Sequence, residues 1–445
     1  MKKIMKRNWL YFKLTIRNAK RSYADYLLYI VTVSILLAVM EAAECVAMAG
    51  KNLAGFQTAS LPALIVMILI ILTSVIQDFM MRQRAKEFAG YLLLGMGKKE
   101  LTAVLLGEFW MMGSGCFAVG AAVGFTAFKF ILSLFDFETN VSAGRSVFHS
   151  FCFFLLAEGI CSLIIRRRIR KMQIVDLIRE KKRNRGFQNM GDCRRWGMVF
   201  LGSFVCFFGG VAGIAFLPGE TAFPLISVIA VPLIGSVFSG YRFFFGFLCR
   251  ERGKRTGFFY RKDRLFPMSW VLSNAETDAV VSAVFCICIL FSAVSFLFGI
   301  LQFQPWMPLY EPAEREWMGF LQICLCIIFF VIYFSVSSLL ILMEIRRGSG
   351  NLKILYEMGK SREQIRSILR RQAAFRLAMP MGMAVLLLCI CLPLISFKLH
   401  VLLPGSGIVL LKSAGVFLLC TGVFYLLYFS VVCRMGNRGI GQNGC

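Results

Sequence analysis

Apolar residues fill this chain in long uninterrupted runs, without the alternation of a half-buried strand. A helix needs about 20 mostly apolar residues to cross a hydrocarbon layer about 30 Å thick, at a rise of about 1.5 Å per residue. Ten runs have that length, at about 25–45, 58–80, 101–133, 147–165, 197–217, 223–248, 279–301, 317–342, 373–396 and 414–433. The third is long enough to tilt or to project from the membrane. The lack of a two-residue period excludes a strand-built barrel. The pattern predicts an all-α polytopic membrane protein with ten transmembrane helices.

Composition agrees with the pattern. Of 445 residues, 58% are hydrophobic and 17% charged, against about 45–50% and about 25% in ordinary globular proteins. A soluble fold has too little polar surface to cover such an interior. Charge then orients the chain. There are 50 Lys and Arg against 24 Asp and Glu, a formal +26. Only Lys51, Lys129, Arg145, Arg315, Lys398 and Lys412 fall on one side of the ten spans; the other 44 basic residues lie on or near the opposite side. Basic loops stay cytoplasmic, so an even number of spans with both termini in the cytoplasm is expected. Nucleic acid is not an expected partner, because no cytoplasmic segment exceeds about thirty residues. Anionic lipid headgroups are attracted by the same arginines.

The expected organisation is a basic amphipathic arm (1–24), a first membrane unit of four spans with a basic tail (25–196), spans five and six with a linker (197–278), and a second four-span unit (279–445). The arm is too long, and lacks a cleavage site after the first span, for a signal peptide.

Candidate chemistry is sparse. Three Cys-x-Cys pairs lie in spans, where that spacing points side chains to different helix faces, so apolar filling is favoured over metal binding. His149 and His400 fall near the outer face. A phosphate-binding loop requires glycine five residues before the Gly-Lys pair. Ile354 stands there relative to Gly359 and Lys360. The chain is therefore expected to be non-catalytic, with no cofactor and no metal.

A weak internal repeat is more informative. RQRAKEFAGYLLLGMGKKELTAVLLGE from Arg82 and RRGSGNLKILYEMGKSREQIRSILRRQ from Arg346 align at an offset of 264. Arg82 meets Arg346, Gly95 meets Gly359, Lys98 meets Arg362, and Glu108 meets Gln372. Each copy follows an outside-to-inside span, runs a short amphipathic stretch, breaks at glycine and enters a new helix. The copies share one orientation, unlike the inverted repeats of many secondary carriers. Such a cytoplasmic stretch suits either a structural loop helix or a surface that receives a push from a soluble partner.

The arm RNWLYFKLTIRNAKRSYADYLLYIVTVS, the stretch RQRAKEFAGYLLLGMGKKEL, the IVDLIREKKRN after span four and the second copy together resemble FtsX-like ABC-transporter permeases, most closely the bacitracin-export type of low-GC Gram-positive bacteria. The resemblance implies two parallel FtsX-like repeats in spans 2–4 and 8–10. It implies a bacterial cell-membrane subunit paired with a separate cytoplasmic ABC ATPase, with a sensor histidine kinase as a further candidate partner. It also implies export or removal of an amphipathic compound such as a peptide antibiotic. A non-transporting relay module is the alternative. By position, Arg82, Glu87, Gly95, Lys98, Arg346, Lys353, Gly359 and Arg362 are the ATPase-coupling candidates. One departure stands out: that branch carries a large extracellular domain between spans seven and eight, and the stretch of about fifteen residues here cannot build its own core.

Charges at bilayer depth are costly enough to invite a functional reading. Glu108, Glu158 and Arg376 are the intramembrane candidates, either coupling helices during opening or pairing them structurally. Glu41 and Glu44, at the outer end of span one, are expected to reach water. Asp78 is expected to pair with Arg82 four residues on.

Overall fold

The computed structural model describes residues 23–50, 55–134, 141–171, 193–216, 219–254, 272, 275–304, 312–402 and 405–442. The basic N-terminal arm and the IVDLIREKKRN stretch lie outside them. Among the described residues the regular elements are all helices: α1 (Tyr23–Gly50), α2 (Gly55–Gln83), α3 (Ala85–Leu93), α4 (Lys98–Leu134), α5 (Ala143–Lys171), α6 (Cys193–Phe216), α7 (Gly219–Lys254), α8 (Ala275–Gln302), α9 (Pro312–Glu357), α10 (Arg362–Leu402) and α11 (Ser406–Gln442). Nine carry an apolar stretch long enough to cross a membrane, and the described apolar part of α2 is Ile65–Asp78. The chain is thus a multi-pass membrane protein built of helices.

It divides into two compact units. Unit 1 holds residues 1–183 and 334–340, and unit 2 holds 184–333 and 341–445.

In unit 1, α4 packs closely along α1. Small residues make this possible. A Cβ on Gly120 would lie 2.8 Å from the Leu37 Cβ, and one on Gly124 would lie 2.8 Å from the Glu41 Cβ and strike the Ala38 carbonyl. α5 completes the unit by packing on α1, α2 and α4. Its contact with α4 is aromatic: Phe117 stacks on Phe154 at 5.2 Å, and Trp110 meets Phe154 edge-on at 6.2 Å. The Trp110 indole donates to Ser162 Oγ at 3.0 Å, which satisfies its one polar atom.

In unit 2, α6 and α7 form a helical hairpin in which glycines face rings. Cβ atoms on Gly197 and Gly240 would each come 3.0 Å from Phe243 and Phe200, which stack on one another at 6.4 Å. Helix α8 is the buried centre. Helices α7, α10 and α11 pack on it, Phe291 stacks on Phe329 of α9 at 5.5 Å, and Ser292 Oγ donates to the Cys326 carbonyl at 3.1 Å. Phe245 and Phe329 are buried. The outward faces of α4, α5, α6 and α11 carry exposed Val, Leu and Phe, the surface that lipid requires.

The glycine seam of α1 and α4 yields a direct expectation. Gly124→Val will overpack it and cost about 1–3 kcal/mol, lowering the melting temperature of the purified protein in detergent. Gly115→Ala, on an open face of the same helix, will not lower it.

Candidate functional site

One end of unit 1 is basic, carrying Arg84, Lys98 and Arg166 to Arg170. There α2 breaks for one residue, Arg84, whose φ of −97° and ψ of 11° fall in the bridge region. The chain resumes as α3. Ala85, Phe88 and Ala89 of this short helix are buried, while Glu87 and Leu93 are exposed, the pattern of a helix lying with one face on its neighbours.

Arg84 ties this corner together. It is 7% exposed and Glu108 of α4 is 2% exposed. Arg84 Nη1 donates to Glu108 Oε2 at 2.6 Å, and Arg84 Nε donates to Glu87 Oε2 at 2.9 Å. The guanidinium also stands over the Phe88 ring, 5.3 Å from its centroid. One planar cation therefore links the α2 end, α3 and α4, as the guanidinium's rigid fork of donors permits.

Helix α3 ends in a glycine stop. Gly95 has φ 92°, which an L side chain adopts only with strain. Met96 N–H donates to the Tyr91 carbonyl at 3.0 Å and Gly95 N–H to the Leu92 carbonyl at 3.2 Å, the two bonds of a Schellman closure. The tip just before it is apolar and bare: Leu93 is 69% exposed and Leu94 is 87% exposed. Helix α4 then starts on Gly97, whose N–H donates to Glu100 Oε2 at 3.2 Å. At the far side of the corner, Lys98 Nζ donates to the Arg170 carbonyl of α5 at 3.5 Å.

The α9–α10 turn of unit 2 repeats these details at the same offset. Gly359 has φ 89°, and Met358 before it is 64% exposed. Ser361 N–H donates to Gln364 Oε1 at 3.2 Å and Gln364 N–H to Ser361 Oγ at 3.3 Å, a full capping box. Leu101 N–H bonds the Gly97 carbonyl as Ile365 N–H bonds that of Ser361. One feature differs. Helix α9 runs unbroken from Pro312 to Glu357, where unit 1 has the break at Arg84.

Polar side chains at depth are paired between helices. Gln77 Nε2 donates to Glu158 Oε1 at 3.2 Å, joining α2 to α5. Asp78 pairs with Arg168 of α5, and the expected partner Arg82 has its side chain outside the described residues. Arg376 of α10 donates to Asp278 Oδ1 in the first turn of α8 at 2.5 Å. Glu41 and Glu44, expected to reach water, are buried at 0% and 4% exposure.

Of the residues singled out by sequence, Glu87 and Glu108 meet on one arginine, Lys98 joins their corner, and Gly95 and Gly359 end helices. Glu158 and Arg376 form separate contacts. The side chains of Arg82, Arg346, Lys353 and Arg362 lie outside the described residues. Sequence reading passed over Arg84, the bare Leu93–Leu94 tip and the capping roles of Glu100, Ser361 and Gln364. The tip was visible as two apolar residues before a helix-stopping glycine, and the cap as Ser-x-x-Gln.

Comparison with known proteins bears on this corner. Residues 59–174 match the family described as FtsX-like permease C-terminal, a stretch that begins in α2 and contains α3, α4 and α5 to its last turn. Over 147 residues the chain is 26% identical to the bacitracin export permease protein BceB of Bacillus subtilis (strain 168), covering 31% of this chain and 22% of that protein. The chain thus matches about a fifth of that relative's length.

Two outcomes follow from the corner. Arg84→Ala takes a bonded cation away from the buried Glu108, a change that costs about 3–5 kcal/mol. Arg84→Met combined with Glu108→Met will recover most of that loss in a thermal melt. Gly95→Ala, at positive φ, will cost about 1–2 kcal/mol. Gly90→Ala, inside α3 with open space around it, will be neutral or stabilising by up to about 1 kcal/mol.

Proposed function

We propose, from the FtsX-like permease domain of unit 1, that this chain is the membrane subunit of an ABC transporter in a bacterial cell membrane. A separate cytoplasmic ATPase docks on it and drives export or removal of an amphipathic compound such as a peptide antibiotic. In this reading ten helices span the membrane, both termini are cytoplasmic, and spans 2–4 and 8–10 are parallel repeats. The matching hydrogen bonds at the two glycine turns support the repeat. The basic charge of the loops supports the orientation.

The observation that carries the proposal is the α3 corner inside the matched domain. Its exposed Leu93 and Leu94 offer an apolar knob, with exposed Glu87, Lys98 and Lys99 close in sequence, suited to a pocket on a soluble partner. A push on that knob moves α3. Arg84 passes the displacement to α4 through Glu108 and to α2 through the chain itself. Met358 beside Gly359 offers the corresponding knob in unit 2. The chain supplies docking and transmission, and the partner supplies ATP hydrolysis.

A relay that transmits ATPase or sensor-kinase state without moving a substrate is the second reading. The short connection from Gln302 to Pro312 favours it, because it leaves no room for a ligand-binding domain there.

Co-expression of the full chain with the membrane-free ABC ATPases of the same genome will recover one of them on a tagged chain. Leu94→Asp will reduce that recovery at least tenfold while the melting temperature stays unchanged. Recovery of no ATPase would overturn the proposal. In lipid nanodiscs, stimulation of the recovered ATPase by a bacitracin-like peptide supports transport or removal. A sensor kinase in the pull-down with no peptide stimulation supports the relay.

A further inference from the structure

The end of unit 1 remote from Arg84 holds a second polar cluster, and it is acidic. Glu41 and Glu44 share a face of α1 at three-residue spacing. They meet the first turns of α5. Ser146 Oγ donates to Glu41 Oε1 at 2.5 Å, Cys45 Sγ lies 3.1 Å from the same hydroxyl, and the Cys45 thiol donates to Glu41 Oε1 at 3.8 Å. His149 Nδ1 lies 3.1 Å from Glu44 Oε1. Helix α4 closes another side, where Gly124 leaves no room for a Cβ beside Glu41.

Two features point to a missing occupant. Glu41 Oε2 and Ser150 Oγ have no hydrogen-bond partner, although both residues are 0% exposed. Ser150 follows Ser146 by one helical turn, so both hydroxyls lie on the face of α5 that meets Glu41. The second feature is charge. Among the described residues Glu41 is bonded by a hydroxyl and a thiol and by no cation. On α4 the nearest basic residue in sequence, Lys129, holds its ammonium over the Phe125 ring at 5.2 Å. Arg145 on α5 is exposed. The first ten residues of α2, GFQTASLPAL, contain no titratable side chain, and Lys51 lies outside the described residues. A buried carboxylate without a compensating positive charge costs several kcal/mol. Among the described residues no three of His, Cys, Asp and Glu are placed to hold one metal ion, so a transition metal held by Cys45 and His149 is not favoured. The oxygens of Glu41, Ser146 and Ser150 are hard donors.

We propose that Glu41, Ser146 and Ser150 form a site for one small monovalent cation, a proton or a sodium ion. It is loaded from the solvent at this end of unit 1, past Glu44 and the partly exposed His149. The site goes beyond the permease reading and does not depend on it. Loading neutralises the charge between α1, α4 and α5, so their packing follows the cation concentration on that side.

The test uses the full chain in lipid nanodiscs without an ATPase and reads carboxyl bands by infrared difference spectroscopy. One arm titrates pH in choline buffer, and the other adds sodium chloride against choline chloride at fixed pH. A proton site gives a protonated-carboxyl band that grows with acidification and is lost in Glu41→Gln but kept in Glu158→Gln. A sodium site gives a carboxylate band shift on sodium addition, again lost only in Glu41→Gln. Ser150→Ala, which tests the site without touching a charge, will move the midpoint of whichever titration responds by roughly one logarithmic unit, the worth of one hydrogen bond. Identical wild-type and Glu41→Gln spectra in both arms overturn the proposal. So does a Ser150→Ala midpoint equal to wild type.

Discussion

The Arg84–Glu108 ion pair is the contact on which the basic end of unit 1 depends. Without it α3 is a nine-residue helix, too short to persist alone in water. Its apolar face supplies adhesion, but adhesion alone does not fix the direction in which a displaced helix moves its neighbours. A guanidinium bonded to two carboxylates and stacked on Phe88 does fix it. The pair is buried and therefore intolerant of losing one member. Under the permease reading that intolerance would make it a transmitter, because moving α3 away from α4 separates charges in a low-dielectric setting and moving them together does not.

The same constraint organises the other polar groups of both units. Water is not available along most of a spanning helix, so each buried polar group must find a partner on a neighbour. Gln77 with Glu158, Asp78 with Arg168, Arg376 with Asp278 and Glu41 with Ser146 are all solutions of that kind. Each ties helices that packing alone holds through small residues and rings. Glu41 differs in that its partners are a hydroxyl and a thiol, with no cation or amide among them.

What the sequence made legible follows from the range of the forces involved. Span positions were legible because an apolar run of about 20 residues is a local property. The glycine stops were legible because a left-handed residue after an amphipathic stretch is also local. Partners across helices were not. Glu108 was singled out for its depth, but Arg84 stands 24 residues away, and nothing in the intervening string marks the two as neighbours. Asp78 meets Arg168 of α5, ninety residues away, because a side chain on a packed face meets the next helix as readily as its own next turn. Glu41 and Glu44 looked like the wet end of a span. They are dry because α5 starts beside them, and where one helix starts relative to another is a tertiary fact. The side chains of four coupling candidates, Arg82, Arg346, Lys353 and Arg362, fall outside the description, so their role still rests on position alone.

The two glycine turns carry the comparison further. The bonds that start the next helix agree in the two turns, but the helices leading into them do not. In unit 1 the bridge-region residue at Arg84 separates α3 from α2, and a buried ion pair stiffens the joint. In unit 2 position 348 is glycine and position 372 is glutamine, so neither the arginine nor the carboxylate of that pair has a counterpart at this offset, and α9 is continuous across the same point. A continuous helix carries a push along its axis without a joint and needs no ion pair there. A broken one turns the push through an angle and needs its corner held. The pair and the break are therefore present together in unit 1 and absent together in unit 2, and under the permease reading the two turns would pass the same stroke to their units in different directions.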